Sequence, residues 1–273
     1  MRINRDDLAI FKRSAGALLK SPRGAYKLIQ QLPAGDRAAN LLAALSRKGP
    51  VPAQRREPNR LERFFDAKRG RGIQKWRHYF EIYDRHFQKF VGREVHIVEV
   101  GVASGGSMDM WRDYFGGRCH VYGIDVNPAC KQFEREDIQV FIGDQGSREF
   151  WRRFRPKVPV VDIFLDDGSH KAEHQIVALE EMLPHLSSEG VYLCEDIEKR
   201  DHRPNDFLSY LFALDNELHQ LRFAPGDASS YLTGEVNALQ SCIRSICFYP
   251  FVAVIEKQPT DILRSDKRGG DWL

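Results

Sequence analysis

The chain has 273 residues and a formal net charge of +3, with 42% hydrophobic, 29% charged and 11% aromatic residues. This much apolar material can offset the chain entropy lost on folding, which excludes global disorder, and the length suits one sizeable domain with an appendage. No apolar run approaches the ~20 residues that cross a bilayer. The five cysteines include no CxxC pair, which argues against a disulfide framework or a structural zinc site. The start, MRINRDDLAIFKRSAGALLKSP, places acids before a short apolar stretch, so no secretory signal is expected and a cytoplasmic location is.

The charge is unevenly spread. Residues 1–75 hold 18 Lys and Arg against 6 Asp and Glu, while the remainder holds 23 against 32. A basic arm on an acidic body can meet nucleic acid, an anionic membrane or a neighbouring subunit. No aromatic interleaving or nucleic-acid module accompanies this charge, so a solvated helical extension is the expectation, nucleic acid is an unlikely partner, and a homo-oligomer through the arm stays open. Apolar residues at 8–11, 18–19, 26–29 and 41–45 suggest short helices. The proline-bearing stretch 48–58 ends the arm, giving an extension over 1–58. Trp76, Phe80, Tyr83, Phe87 and Phe90 then recur every three or four residues, which predicts an amphipathic helix in a capping segment over 59–94.

From residue 95 the period changes. VHIVEV (95–100), HVYGID (120–125), IQVFIG (138–143), VDIFLD (161–166) and VYLCED (191–196) are short, nearly continuous apolar runs ending in Gly or an acid, with helical stretches expected at 107–115, 128–135, 147–154 and 171–186. Such alternation predicts a doubly wound, Rossmann-like α/β sheet over 95–273. SICFYPFVAVIEK (245–257) adds one or two strands at an antiparallel edge.

Ligands of such sheets sit at the carboxyl ends of the strands. The first strand leads into Glu99, Gly101, Gly105 and Ser107, a glycine turn that lets backbone approach a ligand but holds an acid that would repel a pyrophosphate. Asp125 ends the second strand where nucleoside-binding folds place an acid on ribose hydroxyls, and Asp144-Gln145 follows the third. Together these describe an adenosyl site without phosphate-binding equipment. The fourth and fifth strands end in Asp166-Asp167-Gly-Ser-His170 and Glu195-Asp196. Adjacent strands would crowd Asp167, Glu195 and Asp196 at one rim, a set of hard oxygens suited to Mg²⁺, with His170 in reach as a general base.

ExGxxxGGS, Asp125, GDQ at 143–145, LDDGSH at 165–170 and the ED at 195–196 resemble class I S-adenosylmethionine-dependent methyltransferases. They most resemble the metal-dependent sugar O-methyltransferases of macrolide tailoring, of the mycinamicin type, and relatives labelled cephalosporin-hydroxylase-like. The resemblance covers about residues 70–257 and leaves the arm out. It implies a mostly parallel sheet with an antiparallel edge, S-adenosylmethionine and Mg²⁺ as cofactors, Mg²⁺ on Asp167, Glu195 and Asp196, and His170 as base. It also implies that Asp166 belongs with the cofactor residues, that the segment carrying Tyr79 closes over the cofactor, and that the acceptor is a sugar or other polyhydroxylated small molecule. Three rivals carry weaker motifs. A nucleic-acid or protein methyltransferase would want an Asn/Asp-Pro-Pro-aromatic loop after strand four. A mononuclear-iron hydroxylase would use His170 and His174 with a carboxylate. A non-catalytic adenosyl-binding scaffold would have no chemical need for the clustered acids.

Overall fold

The computed structural model describes residues 41–46, 56–197, 206–220, 236–261 and 270, together with the backbone of 233–234 and 263–264. The chain divides into two compact units, Met1–Glu57 and Pro58–Leu273. In the first, residues 41–46 are helical and exposed. The helices expected near residues 8–29 lie outside the described residues.

In the second unit, α1 (Arg60–Ala67) begins with a capping box in which the Asn59 side chain accepts from Glu62 N–H and the Glu62 carboxylate accepts from Asn59 N–H. The expected aromatic helix is α2 (Tyr79–Phe87), continued by a 3₁₀ turn to Phe90. Phe80, Tyr83, Phe87 and Phe90 are buried as the spacing predicted, but Trp76 lies before the helix and is 51% exposed. The following elements are β1 (Val95–Val100), α3 (Gly106–Phe115), β2 (Cys119–Asp125), β3 (Ile138–Ile142), α4 (Arg148–Phe154), β4 (Val161–Asp166), α5 (Ala172–Met182), β5 (Leu186–Cys194), α6 (Asp206–Leu218), β6 (Ile243–Tyr249) and β7 (Val252–Lys257). The helix expected over 128–135 is only a 3₁₀ segment, Pro128–Phe133, started by Asn127 and Pro128. Strand five begins earlier than its apolar run, at Leu186, and leaves Glu195 and Asp196 in the loop beyond its end.

The sheet order is β3-β2-β1-β4-β5-β7-β6. Strands β1 to β5 pair in parallel, while β7 runs antiparallel between β5 and β6. The antiparallel element expected near this edge is therefore β7, inset by one strand, and the hairpin turn at Pro250-Phe251 makes that insertion possible. Alternate residues feed two cores. Ile97, Val121 and Leu193 pack with Tyr83, Trp111 and Phe115 on one face, and Val98, Ile124 and Tyr192 pack with Trp151, Leu179 and Phe207 on the other. Burying such large side chains contributes about 1.5–3 kcal/mol each. All five cysteines are free thiols. Among the described residues no helix is long and apolar enough to cross a membrane.

Candidate functional site

Backbone hydrogen bonds stitch the strand ends into one rim. Gly101 N–H donates to Ile124 O (2.8 Å), Asp167 N–H to Val100 O (3.1 Å) and Glu195 N–H to Asp166 O (2.8 Å). Gly101 has φ +94°, and a Cβ on it would lie 2.0 Å from Asp167 O, so only glycine allows the first turn to touch the fourth. At Gly106 a Cβ would meet Gly72 O at 2.2 Å, which shows how closely the stretch before α2 lies over the glycine turn. Between these parts opens a cleft of about 740 Å³, lined among others by Lys75, Trp76, Tyr79, Gly101, Ser107, Asp125, Asp167, His170, Glu195 and Asp196.

At one end of the cleft the acids surround a cation that the sequence reading passed over. Lys75 Nζ, its side chain 3% exposed, donates to Asp167 Oδ2 (2.5 Å) and Glu195 Oε2 (2.8 Å). Burial alone would lower its pKa, but Glu195, Asp167 and Glu99 outweigh that and hold it above the usual lysine range. The other Glu195 oxygen accepts from Tyr83 OH. Burial raises Glu195 to about 8 against the opposing pull of Lys75. Tyr79 OH donates to Asp196 Oδ1 at 2.6 Å. The remaining oxygens, Asp167 Oδ1 and Asp196 Oδ2, lie 4.0 and 3.8 Å from His170 Nε2, and Asp167, His170 and Asp196 each bring a donor atom within 4.8 Å of the others. His170 and Asp196 both have left-handed backbone, φ 55° and 51°, a conformation that costs energy and gathers at functional sites. The donor set fits a divalent ion between Asp167 and Asp196, whereas both Glu195 oxygens are already engaged.

At the other end, Asp125 accepts from Ala103 N–H (3.1 Å) and Asn127 N–H (2.8 Å) while still lining the cleft. Five predicted residues stand behind this surface or away from it. Glu99 is fully buried, accepts from Ser107 Oγ (2.9 Å) and leaves Oε1 without a hydrogen-bond partner. Gly105, with φ +72°, serves as the N-cap of α3. Asp144 is exposed and accepts from Gly146 N–H. Gln145 and Asp166 are buried together: the Gln145 amide donates to both Asp166 oxygens (3.0 and 3.2 Å) and accepts from Ser169 N–H (2.6 Å), fixing the loop that carries His170. His174 turns to Ser169 Oγ (3.1 Å) and Asp144 (3.7 Å), away from the Asp167–Asp196 pair. Lys75 could have been found by asking which cation neutralises acids crowded at one rim, since a lysine stood in the segment expected to close over the cofactor.

Glu99 makes the fold pH-sensitive. Burial lifts its pKa from 4.5 to about 7, against the opposing effect of Lys75. A carboxyl whose folded pKa is raised binds its proton more tightly when folded, so stability falls as pH rises from the unfolded value through about 7, by roughly 3 kcal/mol at most. Urea unfolding at pH 5.5 and 8 is expected to show this loss in the wild type and a flatter profile in Glu99→Gln. Equal slopes would rule Glu99 out as its source.

No family model matches the chain. It is 30% identical over 206 residues to the 8-demethyl-8-alpha-L-rhamnosyl tetracenomycin-C 2'-O-methyltransferase of Streptomyces olivaceus, covering 68% of this chain and 52% of that protein. It is 34% identical over 122 residues to the Mycinamicin VI 2''-O-methyltransferase of Micromonospora griseorubida, covering 42% and 30%. Among solved structures, the MycE methyltransferase from the mycinamycin biosynthetic pathway, in complex with Mg and SAH, matches with a TM-score of 0.59 and 27% identity over 75% of this chain and 55% of that one. The chain thus spans about half, or less, of the length of these relatives. By its sheet order and by these sequence matches, the chain is a class I relative of the S-adenosylmethionine-dependent O-methyltransferases that act on sugars of macrolides and other glycosides.

Proposed function

We propose that this chain methylates a hydroxyl of a sugar, or of a similar polyhydroxylated small molecule, using S-adenosylmethionine and Mg²⁺. The observation that carries the reading is the convergence of Asp167, His170 and Asp196 at one end of a cleft whose other end holds Asp125. When bound, S-adenosylmethionine would supply a methyl already activated on a sulfonium, and a divalent ion would lower the acceptor hydroxyl's pKa.

The chain's own residues do the rest. Asp125 holds the ribose hydroxyls, and the glycine turn at Gly101, with Ser107, shapes the floor beneath the amino-acid end. Asp167 and Asp196, with Glu195 beside them, would hold Mg²⁺. Tyr79 orients Asp196 through its 2.6 Å hydrogen bond, and Lys75 neutralises Glu195 and the second oxygen of Asp167. His170 Nε2 takes the acceptor proton as the acceptor oxygen attacks the methyl carbon and the S–CH₃ bond breaks. Its side chain is 42% exposed, enough for a substrate to reach it. Trp76, half-exposed at the cleft and 5.6 Å from the Phe251 ring, offers an apolar wall to the acceptor.

The test is calorimetric titration with S-adenosylmethionine. Micromolar binding is expected, with Asp125→Ala abolishing it, after which acceptor screening begins with glycosides in Mg²⁺ and in EDTA. No binding to the wild type would sink the proposal. Activity undiminished by EDTA would remove the metal from it.

A further inference from the structure

A second cluster of ligating side chains lies at the opposite end of the sheet from the cleft. β1 and β2 start there, in parallel register, with His96 directly beside His120. The strands are six and seven residues long, which separates this end from the carboxyl-end rim by roughly 20 Å at about 3.3 Å per residue. The two imidazoles stack with centroids 4.8 Å apart and planes 13° from parallel. Their Nε2 atoms face one carboxylate oxygen: Glu94 Oε1 is 3.9 Å from His96 Nε2 and 3.8 Å from His120 Nε2. The donor atoms of these three residues all lie within 4.8 Å of one another.

The surroundings favour a metal over a plain ion pair. His96 Nδ1 is 3.0 Å from Tyr122 OH, whose ring also stacks on the imidazole. With Nδ1–H donating to the Tyr122 oxygen, that bond would hold the tautomer that leaves Nε2 its lone pair, as the outer partners of metal-bound histidines do. Asp162, accepting from His96 N–H at 3.0 Å, adds negative charge without competing for the ring nitrogens. Ligand atoms around a tetrahedral zinc ion stand about 3.3 Å apart, given bonds near 2.0 Å. The carboxylate must therefore move by about half an ångström, and the stacked His120 ring must turn so that both Nε2 lone pairs meet one ion. The Glu94 side chain is 62% exposed and that of His120 38% exposed, so both can turn.

We propose that Glu94, His96 and His120 form a transition-metal site, for Zn²⁺ or Ni²⁺, separate from the cleft and independent of the methyl-transfer reading. Two imidazoles and one carboxylate select these ions over Mg²⁺, which prefers oxygen alone. A bound ion would clip β1 to β2 at the base of the sheet.

Zn²⁺ titration of the full chain, with Mg²⁺ in large excess to occupy the oxygen ligands of the cleft, tests this. Expected are one micromolar equivalent in the wild type, at least tenfold weaker binding in both His120→Ala and Glu94→Gln, and unchanged binding in Asp196→Asn. Glu94→Gln alters an exposed side chain, so it keeps the test valid if His120→Ala does not fold. Thermal melts should show a Zn²⁺-dependent rise in the wild type that Glu94→Gln lacks. No Zn²⁺ binding in the wild type, binding that survives both substitutions, or binding lost only in Asp196→Asn would overturn the site. None of these outcomes bears on S-adenosylmethionine binding.

Discussion

Replacing His170 by asparagine is expected to lower the turnover number by 10²–10⁴-fold, the range general-base catalysis contributes, while leaving S-adenosylmethionine affinity within twofold. Asparagine is the informative substitution because His170 has φ 55°, and asparagine is among the few residues that tolerate this left-handed conformation. The loop geometry that places Asp167 and Ser169 is then preserved, and the lost imidazole is the only change at the cleft. Activity would be measured on the glycoside found by screening, across pH 6 to 9. If the imidazole is the base, the pH dependence of the wild-type rate is lost in the variant. A variant that keeps full turnover, or that loses cofactor binding to the same degree, would remove His170 from the proton transfer.

The second large effect is on stability. Lys75→Met is expected to cost about 3–5 kcal/mol at pH 8, because it leaves Glu195, and Glu99 close behind it, buried beside Asp167 without a cation. The lysine side chain is 3% exposed and that of Glu195 1% exposed, so water cannot replace the lost ammonium. The cost should shrink at pH 6. Burial already raises Glu99 to about 7 and Glu195 to about 8; without the lysine both rise further, so at pH 6 they take up protons at little cost, whereas at pH 8 protonating them, or leaving them charged, destabilises the fold. Urea unfolding of wild type and variant at the two pH values measures this directly. A loss that is equal at both would mean that Lys75 contributes packing of its methylene stem rather than charge.

This lysine also marks where sequence reading stopped. The strands were legible because β1, β2, β4 and the second half of β5 are buried on both faces and so read as continuous apolar runs, and β3 keeps its apolar character at the edge. α2 was legible because Phe80, Tyr83 and Phe87 repeat at helical spacing. Trp76 shared that spacing but fell outside the helix, since spacing does not say where a helix begins. The 3₁₀ segment at Pro128 was read as a helix for the same reason.

Within the site, sequence order placed Asp125, Asp167, His170, Glu195 and Asp196 at the carboxyl ends of parallel strands, and a parallel sheet necessarily brings those ends together. It could not say which oxygens remain available. That is decided by contacts between residues far apart in the chain: Lys75 with Asp167 and Glu195, Tyr79 with Asp196, and Tyr83 with Glu195. The same holds for Glu99, Gln145 and Asp166, whose polar character suggested a cofactor surface. Tertiary packing buries all three, where Gln145 braces Asp166 and the loop of His170, and Glu99 holds Ser107. The amino-acid pattern by itself determined the α/β order and the rim on which the chemistry sits. Which side chains face the cleft and which support it was decided only by the folded structure, because burial and charge pairing depend on neighbours that the chain order does not specify.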